Sequence, residues 1–346
     1  MPLDPFFAER LRVHRRYLLG RALSSARTRL TALWPFGRSP EPPASRSSKP
    51  RLSPRARHRR AALSWDRSEL ANVGTPGPDV PVTEHEVPGS PPFRVRIHRP
   101  AGVDGPIPAV LSFYGGAFRI GGIDYPTTDA AHRRRAQDSG VAIVAVDYAL
   151  APEHRYPVQV EQAYAALEWL VAEGTQLGID VDRLGVAGVS AGANLAAALT
   201  LVNRDRGAFP LRLQVLEVPV TDLTGRQLDL RATRALGIPS LIALRELRSV
   251  ATTYLGAVRR AKEPYASPLR AESHAGVPPA VILTAEYDPL RGDGTAYGAA
   301  LRAAGVDASV VQYLGVTHDT AIFTGVLPAA RRWHDDVVTA LRRLHG

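Results

Sequence analysis

Leu184-Gly185-Val186-Ala187-Gly188-Val189-Ser190-Ala191-Gly192-Ala193-Asn194-Leu195-Ala196 is the stretch from which the rest of the chain can be read. Its first four residues continue an apolar run of strand type. Its last four open a run of helix formers. Between them lies G-x-S-x-G, with small residues on both sides of the serine. A strand that turns this sharply into a helix forces the serine into an unusual backbone conformation and leaves no room for side chains beside it. The same turn lifts the hydroxyl to the carboxyl edge of a sheet, at a helix N-terminus, where free N–H groups and the helix dipole favour negative charge. G-x-S-x-G on its own is a weak pattern. Set between a strand and a helix, and occurring once in the chain, it makes Ser190 a candidate nucleophile.

Outward from this turn the chain alternates apolar runs with helical stretches. Val82–Val87 and Phe93–His98 are short alternating runs, expected as an antiparallel entry pair. Ala109–Phe113, Val141–Asp147, Leu184–Val189, Leu213–Val220, Ala280–Ala285 and Ser309–Leu314 are near-continuous apolar runs, as strands covered on both faces require. Thr128–Ser139, Val158–Glu173, Ala191–Asn203, Thr295–Ala304 and Pro328–Leu344 have helical spacing. Eight strands, mostly parallel, with helices on both faces imply a doubly wound α/β sheet.

Composition narrows the chemistry. The 346 residues suffice for one large α/β domain and an extension. The absence of cysteine excludes disulfide scaffolds, thiol catalysis and cysteine-ligated metal sites. The formal charge of +10 is local: residues 1–60 hold 15 of the 43 Lys and Arg against only Asp4, Glu9 and Glu41. Such an arm is more often a solvated tail than a nucleic-acid or membrane anchor. No run approaches a membrane span, and Phe6-Phe7 runs at once into charged residues. A cytoplasmic protein is expected, with no nucleic-acid partner. Weak membrane-surface contact through the arm, and homo-oligomerisation, stay open.

The expected organisation is an amphipathic helical segment over 1–38, a basic Pro/Ser/Arg-rich linker over 39–78, and a catalytic domain over 79–346 with an insertion at 222–265. In the first segment Phe7, Leu11, Leu18 and Ala22 fall near one helical face.

Four ordered motifs carry a family resemblance over roughly residues 90–345. Tyr114-Gly115-Gly116-Ala117-Phe118 follows the third strand and resembles an H-G-G-G-[FW] loop. Asp147-Tyr148-Ala149-Leu150-Ala151-Pro152-Glu153 resembles Y-R-L-A-P-E. Gly188–Gly192 is the serine turn, and Asp288-Pro289-Leu290-Arg291 matches D-P-L-R. Together they resemble the hormone-sensitive-lipase-like family of esterases and lipases. The resemblance implies the α/β-hydrolase fold with a helical cap, here expected from the N-terminal region and residues 222–265. It implies a triad of Ser190, Asp288 and His318, in the chain order of that fold. It also implies an oxyanion hole in the Gly115, Gly116 and Ala117 loop, with N–H groups of Gly116, Ala117 and Ala191 as donors. No cofactor and no metal is expected.

His154 is a rival for the base, and Glu286 and Asp293 are rivals for the acid. Glu153 is read as a buried buttress. Tyr114 stands in place of the family histidine, where its hydroxyl could brace the loop from farther out. Asp319 beside His318 is expected to raise the imidazole pKa. Phe6, Phe7, Leu11 and Leu18 are expected against Leu241, Ile242 and Leu244 as an acyl-binding wall. The implied activity is hydrolysis of small to medium carboxylic esters. An amidase, lactonase or acyltransferase with the same triad, and a non-catalytic ligand-binding relative, stay open.

Overall fold

A computed structural model describes residues 1–13 and 52–346. Leu18, Ala22 and the basic residues between 14 and 51 lie outside the described residues. The central feature is one eight-stranded sheet: β1 (Val82–Val87), β2 (Phe93–His98), β3 (Ile107–Phe113), β4 (Ala142–Val146), β5 (Ile179–Val189), β6 (Leu211–Glu217), β7 (Ala280–Tyr287) and β8 (Ala308–Thr317). Their spatial order is β1-β2-β4-β3-β5-β6-β7-β8. β2 runs antiparallel to both β1 and β4, and β3 to β8 are parallel. All eight expected strands are present.

The central strands are apolar along their length because both faces are covered. Every residue of β3 and of β4 is buried. Alternate side chains feed two cores: Ala109, Leu111, Val186 and Ile282 enter one, and Val110, Ala187, Val215 and Leu283 the other. Helices α4 (Val158–Glu173), α5 (Ala191–Arg206) and α8 (Arg291–Ala303) serve the first core, and α3 (Pro126–Ser139) and α9 (Pro328–Arg342) the second. On α9 the buried residues Trp333, Val337, Ala340 and Leu341 form the stripe an amphipathic helix needs.

Two further helices lie before the sheet. Residues 5–13 form α1. α2 spans Pro54–Asn72, inside the stretch expected as a linker; Ser53 Oγ caps it by accepting from the Ala56 N–H, and Pro54 occupies its first turn. α1 does not form the expected wall with Leu241 and Ile242, which are 76% and 59% exposed. Phe6 and Phe7 instead pack edge-on against Phe323, just after β8. Arg10 reaches Glu69 of α2 at 2.8 Å. The Met1 amino group pairs with Glu286 at the end of β7. The Phe323 cluster gives this apolar pair a buried partner, with Phe7 and Phe323 only 5% and 3% exposed.

The insertion at 222–265 contains α6 (Leu230–Ala235), α7 (Ser240–Leu255) and a 3₁₀ turn at Val258–Lys262. Buried Asn194, in the first turn of α5, donates to the carbonyls of Val220 and Ala266 and so ties down both ends of it. Among the described residues no helix is long and apolar enough to cross a membrane.

Phe7 is only 5% exposed. Phe7→Ala is expected to cost about 3 kcal/mol, as a large-to-small change in a packed aromatic cluster. Urea unfolding followed by circular dichroism measures it; an unchanged midpoint would contradict the docking of α1.

Candidate active site

The turn from β5 into α5 is strained and the strain is enforced. Ser190 has φ 56° and ψ −114°, a conformation rare for a residue with a Cβ. Its N–H donates to the Glu217 carbonyl at 2.8 Å, and its carbonyl accepts from the Asn194 N–H. A Cβ at position 192 would lie 2.0 Å from the Phe113 carbonyl oxygen, and one at 188 would lie 2.3 Å from the Gly192 oxygen. Both glycines are therefore required by close backbone approach.

The hydroxyl so presented meets an imidazole. Ser190 Oγ lies 3.0 Å from His318 Nε2, and His318 Nδ1 lies 2.7 Å from Asp288 Oδ2. Asp288, at the end of β7, is fully buried, and its other oxygen accepts from the Leu290 N–H at 2.8 Å. His318 follows β8 and stays 30% exposed. The geometry assigns Nδ1 as the donor to Asp288, which leaves Nε2 as the acceptor facing the serine. Burial opposes the imidazolium, but the charge and hydrogen bond of Asp288, with Asp319 adding its charge, push His318 up to about 9.

None of the rivals hydrogen-bonds to Ser190 or His318 among the described residues. Glu286 holds the Met1 amino group and the Gly315 N–H. Asp293 is buried with neither carboxylate oxygen bonded to a side chain. Glu153 is exposed rather than a buried buttress, because Arg55 and Arg59 of α2 reach it from outside. His154 sits in the same outer segment.

The loop over the serine is clamped on both sides. Gly116 has φ 133°, and a Cβ there would lie 2.0 Å from the Ile120 oxygen. Ala117 (φ 54°) and Phe118 (φ 60°) follow it in the left-handed region. Tyr114 and Tyr148 stack at 4.2 Å, and each hydroxyl donates to the other residue's carbonyl, at 2.9 and 2.8 Å. This reciprocal pair does the bracing expected of Tyr114. Burial holds both hydroxyls protonated by raising their pKa values. On the other side Phe118 stacks on Tyr254 of α7 at 3.7 Å. Arg59 of α2 donates to the carbonyls of Arg119 and Ala151. The loop's own hydrogen bonds run from the Arg119 and Ile120 N–H groups to the Gly116 carbonyl. The N–H groups of Gly116, Ala117 and Ala191 have no backbone acceptor among the described residues.

A cavity of about 390 Å³ opens at Ser190 and His318. Gly115, Gly116 and Ala117 line it, with Trp65, Asp66 and Leu70 of α2, and Ala321 and Ile322 after β8. No residue of α1 does. Val218, with φ 41°, is a strained β-branched residue on the same wall. Polar and charged side chains also line it: buried His132 and Arg135 and partly buried Arg134 of α3, and buried Glu217 at the end of β6, beside the Trp333 indole. The sequence reading places His132, Arg134 and Arg135 only within a helical stretch and gives them no part in the site. Among the described residues no group of three or more His, Asp or Glu side chains is arranged to hold a metal ion.

Known proteins resemble this chain in sequence and fold. The family of the alpha/beta hydrolase fold matches residues 110–322. Esterase LipI of Mycobacterium tuberculosis is 39% identical over 241 residues, covering 69% of this chain and 74% of that protein. Carboxylesterase NlhH of the same organism is 33% identical, covering 81% of this chain and 89% of its own. The crystal structure of EstE1, a thermostable carboxylesterase from a metagenomic library, superposes with a TM-score of 0.77 at 33% identity, covering 84% of this chain and 98% of that one.

Two outcomes follow from the geometry. Only a neutral imidazole can accept the serine proton, so kcat/KM should rise with pH through the His318 pKa, with a midpoint above the ordinary imidazole value. Asp319→Asn removes a charge that favours the imidazolium and should move that midpoint down; a profile unmoved by the change would contradict the coupling. Gly116→Ala should displace the loop and lower kcat by on the order of 10²-fold, the usual cost of losing one oxyanion donor, measured on a short ester.

Proposed function

The chain belongs to the alpha/beta-hydrolase fold family, and we infer that it is a carboxylic-ester hydrolase working through Ser190, His318 and Asp288. The observation that carries the reading is the unbroken relay from Ser190 Oγ to His318 Nε2 and from His318 Nδ1 to Asp288, at 3.0 and 2.7 Å. It lies beside the N–H groups of Gly116, Ala117 and Ala191, which have no backbone acceptor among the described residues.

In this reading His318 removes the Ser190 proton as Oγ attacks the ester carbonyl carbon. The carbonyl oxygen becomes an oxyanion facing the N–H groups of Gly116, Ala117 and Ala191, each worth about 3 kcal/mol to the transition state. The imidazolium then protonates the leaving alcohol as the intermediate collapses to an acyl-serine. Water, deprotonated by His318, attacks that ester, and the acid leaves with Ser190 restored. Asp288 holds the imidazole in the required tautomer and stabilises its charged form. The high His318 pKa expresses that stabilisation: the site favours the imidazolium that exists between the two proton transfers.

Small to medium acyl groups are the substrates we propose, since the cavity is modest and charged side chains of α3 and β6 line part of it. We assign the covering role to α2 and the insertion. α2 supports this by lining the cavity, and the insertion by holding Phe118 through Tyr254.

A panel of nitrophenyl esters from acetate to laurate tests the reading. Turnover should be greatest for the shorter acyl groups, and Ser190→Ala should lower kcat by on the order of 10⁴-fold or more. A Ser190→Ala enzyme with undiminished turnover would overturn it.

A further inference from the structure

The cavity beside Ser190 ends in charge. Three consecutive arginines on α3 have different fates. Arg133 turns outward to Asp129, at 2.6 Å. Arg135 is 7% exposed, and its Nη2 donates to Glu217 Oε2 at 2.8 Å; the Trp333 indole N–H donates to the same oxygen at 2.7 Å. Arg134 lines the cavity between them. Its Nη1 donates to the Thr75 carbonyl, and it has no acidic partner within ion-pair distance among the described residues.

The donors exceed the acceptors here. The Nε atoms of both Arg134 and Arg135 are buried without an acceptor. His132, buried next to them, has Nε2 against Ser112 Oγ at 3.1 Å and an unpartnered Nδ1. Burial and the neighbouring Arg135 charge pull Arg134 down to about 10. Of the other acids on the cavity wall, Asp66 accepts from the N–H and hydroxyl of Thr127, and Asp319 lends its charge to His318. Glu217 is thus the carboxylate at this end, and Arg135 and Trp333 already hold it.

We propose that this buried end is a subsite for a carboxylate carried by the substrate, so that the preferred esters bear a second, free acid group. The proposal rests on the ester-hydrolase reading and names the substrate class for it. Each guanidinium has one acceptor, Thr75 or Glu217, but its buried Nε has none, and an alkyl chain end pressed against it leaves that donor unsatisfied. A carboxylate offers charge-assisted hydrogen bonds to both arginines, in the planar geometry guanidinium favours. The apolar walls of Trp65, Leu70 and Ile322 then suit the methylenes between the two acid groups. Monoesters of dicarboxylic acids and acyl esters of hydroxy acids both present this chemistry, from the acyl and the alcohol side of the scissile bond respectively.

Matched substrates test it on the full chain at pH 8, by titration of released acid. Monomethyl adipate is compared with methyl hexanoate for the acyl side, and 6-acetoxyhexanoate with hexyl acetate for the alcohol side. In one pair the carboxylate-bearing ester should be favoured in kcat/KM by about tenfold or more. Arg134→Gln should bring that ratio toward one. Glu217→Gln leaves Arg135 without its counter-charge and should raise the ratio, a sign that general damage to the fold does not produce. Arg134 is only partly buried, so its variant keeps the test available should Glu217→Gln not fold. Ratios at or below one in both pairs, or a preference that neither foldable variant moves, would overturn the subsite. Turnover of the uncharged esters in that case leaves the ester-hydrolase reading standing, whereas no turnover of any of the four would remove both.

Discussion

The close approach of the serine turn to the edge of β3 is the constraint on which the rest depends. The Gly192 backbone sits where any side chain would collide with the Phe113 carbonyl, and Gly188 is pressed equally against Gly192. This contact makes β5 end abruptly, holds Ser190 at positive φ and starts α5 with its free N–H beside the hydroxyl. It also fixes the distance between the serine turn and the loop that leaves β3. The donors of Gly116 and Ala117 and the hydroxyl of Ser190 are therefore set by one piece of backbone packing. Strain of roughly 1–3 kcal/mol at such a residue persists only where the surroundings over-determine it. Here they do, through parallel pairing with β3 and β6 and the hydrogen bond from the Ser190 N–H to Glu217.

Around that turn, elements distant in sequence hold the reactive loops. Tyr114 and Tyr148 exchange hydrogen bonds between the loops after β3 and β4. Phe118 and Tyr254 join the first of those loops to the insertion. Arg59 adds α2 to the same assembly, and Phe6 and Phe7 dock α1 beside the segment that follows His318. The active groups are positioned less by their own loops than by aromatic pairs and arginines that arrive from outside them. A chemically precise site on mobile connections needs support of this kind.

Much of this was legible in the sequence, for physical reasons. Strands buried on both faces must be apolar throughout, so β3 to β7 stand out without periodicity. A serine turn needs small neighbours, so G-x-S-x-G is visible, while Asp288 and His318 were implied by the family resemblance, at the ends of strands that open on the same edge as Ser190. α2 was not legible, because Arg55, Arg57, Arg59 and Arg60 make its composition that of a linker. The cue was local: Ser53 followed by Pro54 is a helix start. Arg134, Arg135 and Glu217 were hidden for a different reason. A run of arginines belongs on a solvated surface unless α2, α9 and the sheet edge close over it, and that closure is a tertiary event. The packing of Phe6 and Phe7 was misread similarly, since an apolar stripe declares that it will be buried and not against what.

The most direct measurement of the central claim is covalent. A fluorophosphonate reacts with a serine whose hydroxyl is activated and whose oxyanion site is formed, and peptide mass spectrometry locates the adduct. The account predicts one adduct per chain, on the peptide containing Ser190, formed in step with loss of ester hydrolysis and abolished by His318→Ala. Labelling at a different serine, or full hydrolysis by enzyme labelled at Ser190, would contradict it.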